Sequence, residues 1–241
     1  MIRVENVSKR YHTRQGMREV LHDINLQLER GRNIGILGAN GAGKSTLIRL
    51  LAGAEMPTSG RIHRGMSVSW PLAFSGAFHA HLTGLDNLKF ICRVYGVDHK
   101  AVLPFVEEFT ELGPYFREPV EHYSTGMMSR LAFGLCMAIE FDCFLIDEVL
   151  VVGDFRFHER CHEELFQKRR DRAFVLVSHD SNSIKLYCEK ACVLHEGRLH
   201  HFDRVDDAYD FFHAETGPRE APAAAPVDTV PVTPDPNPPD R

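Results

Sequence analysis

Excess basic charge is missing from this 241-residue sequence, which has 28 lysines and arginines against 33 acidic residues. The formal net charge of -5 argues against a nucleic-acid-binding protein, because such proteins need a basic surface to meet the phosphate backbone. We therefore expect no nucleic acid among its partners.

Paired cysteines and long apolar runs are missing as well. The six cysteines form no CxxC pair, and several lie inside apolar segments such as LCMAIEFDCFLID. We therefore expect reduced thiols that pack as small hydrophobic groups. No apolar run approaches the roughly 18 residues that a membrane-spanning helix requires, and the charged start MIRVENVSKR does not fit a signal peptide. These absences favour a protein that does not cross a bilayer, although it could dock beneath one.

The apolar residues that are present predict an α/β fold. IRVENV and VLHDINLQL alternate as strands do, with a turn near Arg14 to Gly16. RNIGILG, CFLID and AFVLVSH are short, nearly continuous apolar runs, which are typical of parallel strands covered on both faces. ACVLHEGRLHHF predicts a hairpin with its turn at Glu196-Gly197.

A helical segment interrupts this pattern. The residues between the first helix and CFLID show no pattern that predicts β-strands. Helical spacing of apolar residues recurs instead in LTGLDNLKFICRVYGV, HKAVLPFVEEFTEL and SRLAFGLCMAIE. We expect a helical insertion at about residues 78–140 within a domain spanning 1–217. Residues 218–241, rich in Pro, Ala and Asp, are expected to be a disordered tail.

The segment GANGAGKS, Gly38 to Ser45, fits the phosphate-loop pattern G-x-x-x-x-G-K-[ST] between a strand and a helix. Glycines let backbone N–H groups surround phosphate oxygens, and the helix N-terminus favours an anion. Lys44 would reach the β- and γ-phosphates of ATP, and Ser45 would hold Mg²⁺. A chance lysine in a glycine-rich turn is a weak alternative. The residues expected to bind phosphate are Gly38, Asn40, Gly41, Ala42, Gly43, Lys44, Ser45 and Thr46.

Acidic and aromatic residues complete the predicted nucleotide site. Asp147 ends CFLID and could hold the water shell of Mg²⁺, while Glu148 could act as general base on the attacking water. His179 ends AFVLVSH and could orient that water, although a histidine at a strand end is often structural. Tyr11 could stack on adenine, or it could simply pack at a domain edge. ATP hydrolysis is the predicted activity, with Lys44, Glu148 and His179 as catalytic residues.

A second pattern, HERCH (His158 to His162), matches the zinc-binding sequence H-E-x-x-H. It follows Glu148 by only ten residues, where a nucleotide-binding core needs its next crossover helix. No downstream segment stands out as a third ligand. A zinc peptidase is therefore a minor alternative, which metal analysis beside an ATPase assay would separate.

The order of these motifs resembles the ATPase subunit of ABC transporters over residues 1 to about 213. In that family the signature LSGGQ precedes a helix of the insertion, and YSTGM (Tyr123 to Met127) stands in its place. The resemblance implies that Ser124 and Gly126 contact ATP bound to a second copy of the chain. It also makes VVGD, ending at Asp154, the D-loop, and His179 the H-loop histidine.

A more specific resemblance extends beyond the nucleotide motifs. SWPLAFSGAF, LTGLDNLKF, VEEFTELGPYF and YSTGMMSRLAFGLCMAIEFDCFLIDEVLVVGDFRF look like KpsT-type capsular polysaccharide export ATPases. This implies a homodimer on the cytoplasmic face of the bacterial inner membrane, bound to two copies of an integral membrane permease. Periplasmic and outer-membrane export components would be reached through that permease. Exporters of O-antigen or teichoic acid are the alternative; a soluble, non-transport ABC ATPase fits less well.

The chain departs from the family pattern in its Q-loop and its signature. Glutamine occurs only at positions 15, 27 and 167, so none lies where the Q-loop is expected, and His79 is the nearest substitute. Met127 replaces the last signature residue and Thr125 its first glycine. Because a β-branched residue is strained at positive φ, we expect an ordinary backbone conformation at Thr125.

An aromatic loop between the first helix and the insertion is a candidate surface for docking the permease. It contains Trp70, Phe74 and Phe78, and exposed apolar groups often mark contacts with partners. The alternative is that these side chains form a satellite of the core.

Overall fold

The computed structural model of the protein describes residues 1–72, 78–147, 155–178 and 181–216. The predicted tail at 218–241 lies outside these residues, as do Phe74, Glu148, Asp154 and His179.

The N-terminal residues form an antiparallel sheet of three strands, in the order β2-β1-β4. Inward-facing apolar residues alternate with outward ones along β1 and β2, as the sequence predicts, and the turn between them falls at residues 14–15. The strands are β1 (Ile2–Thr13), β2 (Gly16–Leu28) and β4 (Ser59–Arg64).

Strand β4 corrects the expectation that no sheet lies between the first helix and CFLID. Its sequence, SGRIHR, lacks alternating apolar residues because it is an edge strand whose side chains are almost all exposed. Gly60 has φ 81°, and a Cβ there would lie 2.3 Å from the Asn6 carbonyl oxygen. Close backbone contact with β1, rather than side-chain burial, therefore holds this strand.

A second sheet of five strands has the order β5-β6-β3-β7-β8, with only β8 antiparallel to its neighbour. In register, Leu37 lies opposite Ser178, and Asp147 lies opposite Val177. The carboxyl ends of β3, β6 and β5 therefore share one edge of the sheet. The strands are β3 (Asn33–Leu37), β5 (Cys143–Asp147), β6 (Ala173–Ser178), β7 (Lys190–His195) and β8 (Arg198–Phe202).

The predicted hairpin turn at Glu196-Gly197 is confirmed. It joins β7 to β8, and both residues are left-handed, with φ 47° and 73°. Two consecutive left-handed residues give the turn the twist that a two-residue hairpin needs.

Helices α2, α3 and α4 form the helical insertion between β4 and β5. Thr83 and Ser124 cap two of them, accepting hydrogen bonds from the N–H groups of Asp86 and Met127. The helices are α1 (Lys44–Ala52), α2 (Gly84–Tyr95), α3 (His99–Thr110), α4 (Thr125–Ala138), α5 (Phe155–His162), α6 (Ser181–Tyr187) and α7 (Val205–Thr216). Shorter turns of helix lie at Gly113–Arg117, Val120–His122 and Glu163–Gln167.

The five-stranded sheet separates two hydrophobic clusters. Cys143 and Leu145 of β5 face the cluster that includes β1, β2 and α1, whereas Phe144 and Ile146 face the cluster built by the helical insertion. Strand β6 alternates in the same way. Burial on both faces explains the continuous apolar sequences of these strands, as predicted.

All six cysteines are free and buried, which confirms their expected role as small core residues. Burial raises the pKa of Cys161 and Cys188 to about 12. None of the helices in the described part of the chain is long and apolar enough to cross a bilayer.

Gly134→Ala tests the close packing of α3 on α4. A Cβ at Gly134 would lie 2.5 Å from Cγ2 of Thr110, so the clash should outweigh the roughly 1 kcal/mol gain in helix propensity. We expect the free energy of unfolding to fall by about 1–3 kcal/mol in denaturant titration. Adding Thr110→Ser removes that methyl group and should restore most of the loss; no rescue would contradict the contact.

Candidate functional site

The phosphate loop joins β3 to α1 through glycines that the structure requires. Gly41 and Gly43 have φ 82° and 108°, and a Cβ at Gly38 would lie 2.8 Å from the Leu194 carbonyl oxygen. Gly43 occupies the N-cap position of α1 without a side chain that could bond the first turn. The first N–H groups of α1 therefore face a position that suits an anion.

Lys44 is folded back over this loop. Its side chain is buried, and its ammonium group donates hydrogen bonds to the carbonyl oxygens of Gly38 at 2.7 Å and Ala39 at 3.2 Å. The Ala42 N–H donates to the Ala39 carbonyl at 3.1 Å, which closes a turn around exposed Asn40 and Gly41. The loop is thus a closed turn of backbone whose carbonyl oxygens bind the Lys44 ammonium group.

Ser45 and Thr46 separate at the start of α1. Ser45 is exposed, whereas Thr46 is buried and its hydroxyl accepts a hydrogen bond of 3.4 Å from Arg49. Ser45 is therefore the hydroxyl that can reach a ligand in the loop.

Asp147 lies at the same edge of the sheet as the loop. It ends β5, it is half-buried, and β6 connects it in register to the end of β3. A hydroxyl and a carboxylate are oxygen ligands of the kind that Mg²⁺ prefers, so this pair fits the predicted metal. Glu148 and His179 directly follow Asp147 and Ser178 in the chain, but lie outside the described residues, as does Asp154.

Tyr11 is held by the residues that follow α1. Its hydroxyl donates to Oε2 of Glu55 at 2.6 Å, and the Lys9 ammonium lies 5.0 Å from its ring centroid. Burial acts to raise the pKa of Glu55, but hydrogen bonds from Tyr11, Arg49 and Lys9 outweigh it and keep that pKa below its ordinary value. An ionised Glu55 thus fixes the ring near the carboxyl end of β1. Adenine stacking by Tyr11 stays a prediction.

Ser124 and Gly126 lie at the beginning of α4, where Ser124 is exposed and Gly126 is half-buried. Ser124 is extended, with φ -66° and ψ 163°, and its Oγ accepts the Met127 N–H at 3.2 Å. Thr125 begins the helix and is not among the residues at positive φ, which confirms the expected ordinary conformation. A Cβ at Gly126 would meet nothing closer than Ser124 Oγ at 3.9 Å. Nothing among the described residues therefore requires a glycine at 126.

His79 lies beside the segment that leads into α4. Its backbone N–H donates to Oδ1 of Asn87 at 3.0 Å, while its ring is exposed and 5.8 Å from that of His81. Backbone hydrogen bonds from Val120 to Leu82 and from Glu121 to Ala80 join these two segments. The role of His79 as a Q-loop substitute stays a prediction.

An apolar groove of about 300 Å³ lies between α2 and the end of α1. Phe90, Val94 and Tyr95 of α2 line it, with 56%, 61% and 43% of their surfaces exposed. The sequence does not predict these residues as a surface, because the apolar pattern of a helix does not indicate which of two apolar faces is covered.

The predicted aromatic loop is less exposed than this groove. Trp70 is half-buried and lies 5.7 Å from Tyr95 and 5.4 Å from Phe141, measured between ring centroids. Phe78 is also half-buried and packs against the core. For Phe78 the satellite-core alternative fits. Trp70 packs against Phe141 but also lines the groove beside Tyr95, so the predicted docking surface keeps Trp70 and extends onto α2.

The HERCH segment lies in α5. Cys161 is buried, and His162 packs against Phe166 and Tyr187 at 5.3 and 5.6 Å between ring centroids. Arg160 forms an ion pair with Glu111. Within residues 1–72, 78–147, 155–178 and 181–216, no group of three or more His, Cys, Asp or Glu side chains is arranged to hold a metal ion.

Comparison with known proteins agrees with this geometry. The ABC transporter family model matches residues 21–151. The chain is 60% identical over 214 residues to the capsule polysaccharide export ATP-binding protein CtrD of Neisseria meningitidis, covering 89% of this chain and 99% of that protein. It is 59% identical to the ATP-binding protein BexA of Haemophilus influenzae, covering 88% and 98%. It is 44% identical to the polysialic acid transport ATP-binding protein KpsT of Escherichia coli, covering 80% and 87%.

Solved structures share the fold. A dimeric post-hydrolysis structure of the ATP-binding cassette MJ0796 bound to ADP and Pi has a TM-score of 0.71 at 20% identity, covering 84% of this chain and 98% of that one. The ATP-binding subunit of an ABC transporter has a TM-score of 0.70 at 21% identity, covering 88% and 93%. The predicted fold class, a P-loop core with an antiparallel sheet and a helical insertion, is confirmed. The chain belongs to the ABC transporter family, as one of its ATP-binding proteins.

Proposed function

We propose that the chain hydrolyses ATP as a homodimer and thereby powers the export of capsular polysaccharide across the inner membrane. The observation that carries this proposal is 60% identity over nearly the whole length of a capsule polysaccharide export protein. The phosphate loop and Asp147, which share one edge of the sheet, supply the geometry for binding MgATP.

Binding begins at the loop between β3 and α1. Backbone N–H groups of the loop and of the first turn of α1 hold the phosphate oxygens, and Lys44 moves from its carbonyl partners to the β- and γ-phosphates. Ser45 and Asp147 hold Mg²⁺, directly or through water. When bound, Mg²⁺ neutralises charge that develops on the β- and γ-phosphate oxygens.

Hydrolysis needs a base next to this site. Glu148 follows Asp147 directly and takes a proton from the water that attacks the γ-phosphorus, while His179 orients that water. We assign Asp154, six residues after Glu148, to contact with the second copy of the chain, as the D-loop resemblance implies.

The second copy closes the site. Its α4 begins with an exposed Ser124, whose hydroxyl donates to the γ-phosphate, and Gly126 allows the backbone N–H to approach equally closely. The positive end of the α4 dipole adds to this attraction. ATP thus lies between the loop of one chain and the α4 of the other, and hydrolysis releases the two chains.

The groove on α2 connects this cycle to transport. Two copies of a membrane permease each present a segment with apolar residues to Phe90, Val94 and Tyr95, at the cytoplasmic face of the inner membrane. Export components of the periplasm and outer membrane are reached through the permease. The ATP-binding domain spans residues 1–217, with its insertion at about 78–140.

Glu148→Gln tests the catalytic base. The amide cannot take the proton, so turnover should fall by about 10²-fold or more while ATP binding persists. The variant should also accumulate as an ATP-bound dimer in size-exclusion chromatography. Glu118→Gln, an exposed carboxylate in the insertion, is the matched control. Near-wild-type hydrolysis by Glu148→Gln would exclude this residue as the base.

Gly126→Ala separates folding from function. The new Cβ meets no close atom within the chain, so helix propensity should raise the free energy of unfolding by up to about 1 kcal/mol. The same methyl group would stand between α4 and the partner's γ-phosphate, so kcat should fall roughly tenfold. Ser129→Ala, one turn further along α4, should keep full activity. If Gly126→Ala is both stable and fully active, α4 does not approach ATP as proposed.

Phe90→Ser combined with Val94→Ser tests the groove. Because both side chains are more than half exposed, the double variant should fold and bind ATP normally, yet lose copurification with the permease. Leu186→Ser changes an equally exposed apolar residue on α6 and should have no effect. Unchanged copurification would place the docking surface elsewhere.

A further inference from the structure

Glu111 has a backbone conformation that its side-chain type does not favour. It follows the last residue of α3 with φ 51° and ψ 31°, in the left-handed region. Glycine or asparagine is the usual residue at such a helix end, because other side chains are strained there. Contacts of the Glu111 carboxylate must therefore compensate for the strained backbone.

That carboxylate bridges two helices that are far apart in the chain. Its Oε2 accepts a hydrogen bond of 3.0 Å from Nη1 of Arg130 on α4, and its Oε1 accepts one from Nη1 of Arg160 on α5. Nη2 of Arg160 also donates to the Glu108 carbonyl oxygen at 3.1 Å. The end of α3 is thus bonded to both helices at once.

Aromatic rings lie beneath both guanidinium groups and cross-link the same helices. Arg130 of α4 lies 4.8 Å from the ring centroid of Phe157 on α5, and Arg160 of α5 lies 5.1 Å from that of Phe109 on α3. The rings of Phe109 and Phe157 contact each other at 5.4 Å. The side chain of Arg130 is only 18% exposed and that of Arg160 only 31%, so both cations are held against the rings.

Both helices begin at positions to which the proposed function gives a role in the dimer: α4 at the contact with the partner's ATP, and α5 after the residue assigned to contact with the second copy. Helix α4 begins with Ser124 and Gly126, and α5 begins directly after Asp154. We propose that Glu111 is a positioning residue, which sets α4 and α5 in one arrangement through Arg130 and Arg160 so that the beginnings of both helices are placed together for contact with the second copy. The inference rests on the proposed function, and it accounts for the arginine inside HERCH.

Glu111→Gly tests the positioning role without adding strain. Glycine accepts φ 51° without strain, which offsets the loss of the two bonds to the carboxylate, so the free energy of unfolding should change little. We expect kcat for ATP hydrolysis by the full chain to fall roughly fivefold, with the ATP affinity of the monomer unchanged, because the contacts of Glu111 lie on α4 and α5 and not on the phosphate loop. Glu108→Ala, an exposed acidic residue on the same helix, is the matched control and should keep wild-type kcat.

A double-mutant cycle with Arg160→Gln measures the coupling between the two residues in kcat, which a purely structural role of Glu111 would leave unchanged. If both residues act through one network, the double variant should lose little more kcat than either single variant. The positioning role would be overturned if Glu111→Gly kept the wild-type kcat, or if its loss of kcat were explained by unfolding of the variant. It would also be overturned if the effects of the two single variants on kcat multiplied in the double variant. Failure of the dimer proposal is distinguishable, since wild-type hydrolysis would then not rise with protein concentration.

Discussion

Strand β6 pairs with β3 on one side and β5 on the other, and this parallel pairing determines where the chemistry of the chain can lie. It brings the loop after Leu37 and the carboxylate of Asp147 to one edge, although more than a hundred residues separate them in the chain. The alternation of β5 and β6 between two hydrophobic clusters fixes that register, because a slip of one residue would turn every side chain to the wrong cluster. The core packing that fixes the register of β5 and β6 therefore also fixes the position of Asp147 relative to the phosphate loop.

Helix α4 combines two roles that usually fall to different elements. From Leu131 to Ala138 every residue is buried, which anchors the helix between α3 and the sheet, while Ser124 and Thr125 at its beginning are exposed. A helix held so firmly at one end can present its other end with little conformational freedom. Such rigidity suits a contact that must form across a dimer interface without ordering a loop first.

The sequence predicted those features that depend on neighbouring residues. The glycines and Lys44 of the phosphate loop and the turn at Glu196-Gly197 follow from local backbone requirements. Strand β4 could not be predicted, because its stability comes from pairing at a sheet edge rather than from an apolar pattern. Glu55, which binds the hydroxyl of Tyr11, lies after α1, and no spacing rule connects the two residues. In the same way, only the tertiary structure places Phe90 on an uncovered face of α2.

Burial of the native thiols makes it possible to follow the ATPase cycle with a label on one introduced cysteine. All six are inaccessible, and four of them have a pKa raised to about 12 by burial, so the folded chain offers no reactive thiolate at neutral pH. A single cysteine introduced on the surface is then the one position that a maleimide dye or spin label can modify, and none of the native cysteines has to be replaced. In the proposed homodimer one such substitution places two labels, and their separation would report on the distance between the subunits during turnover.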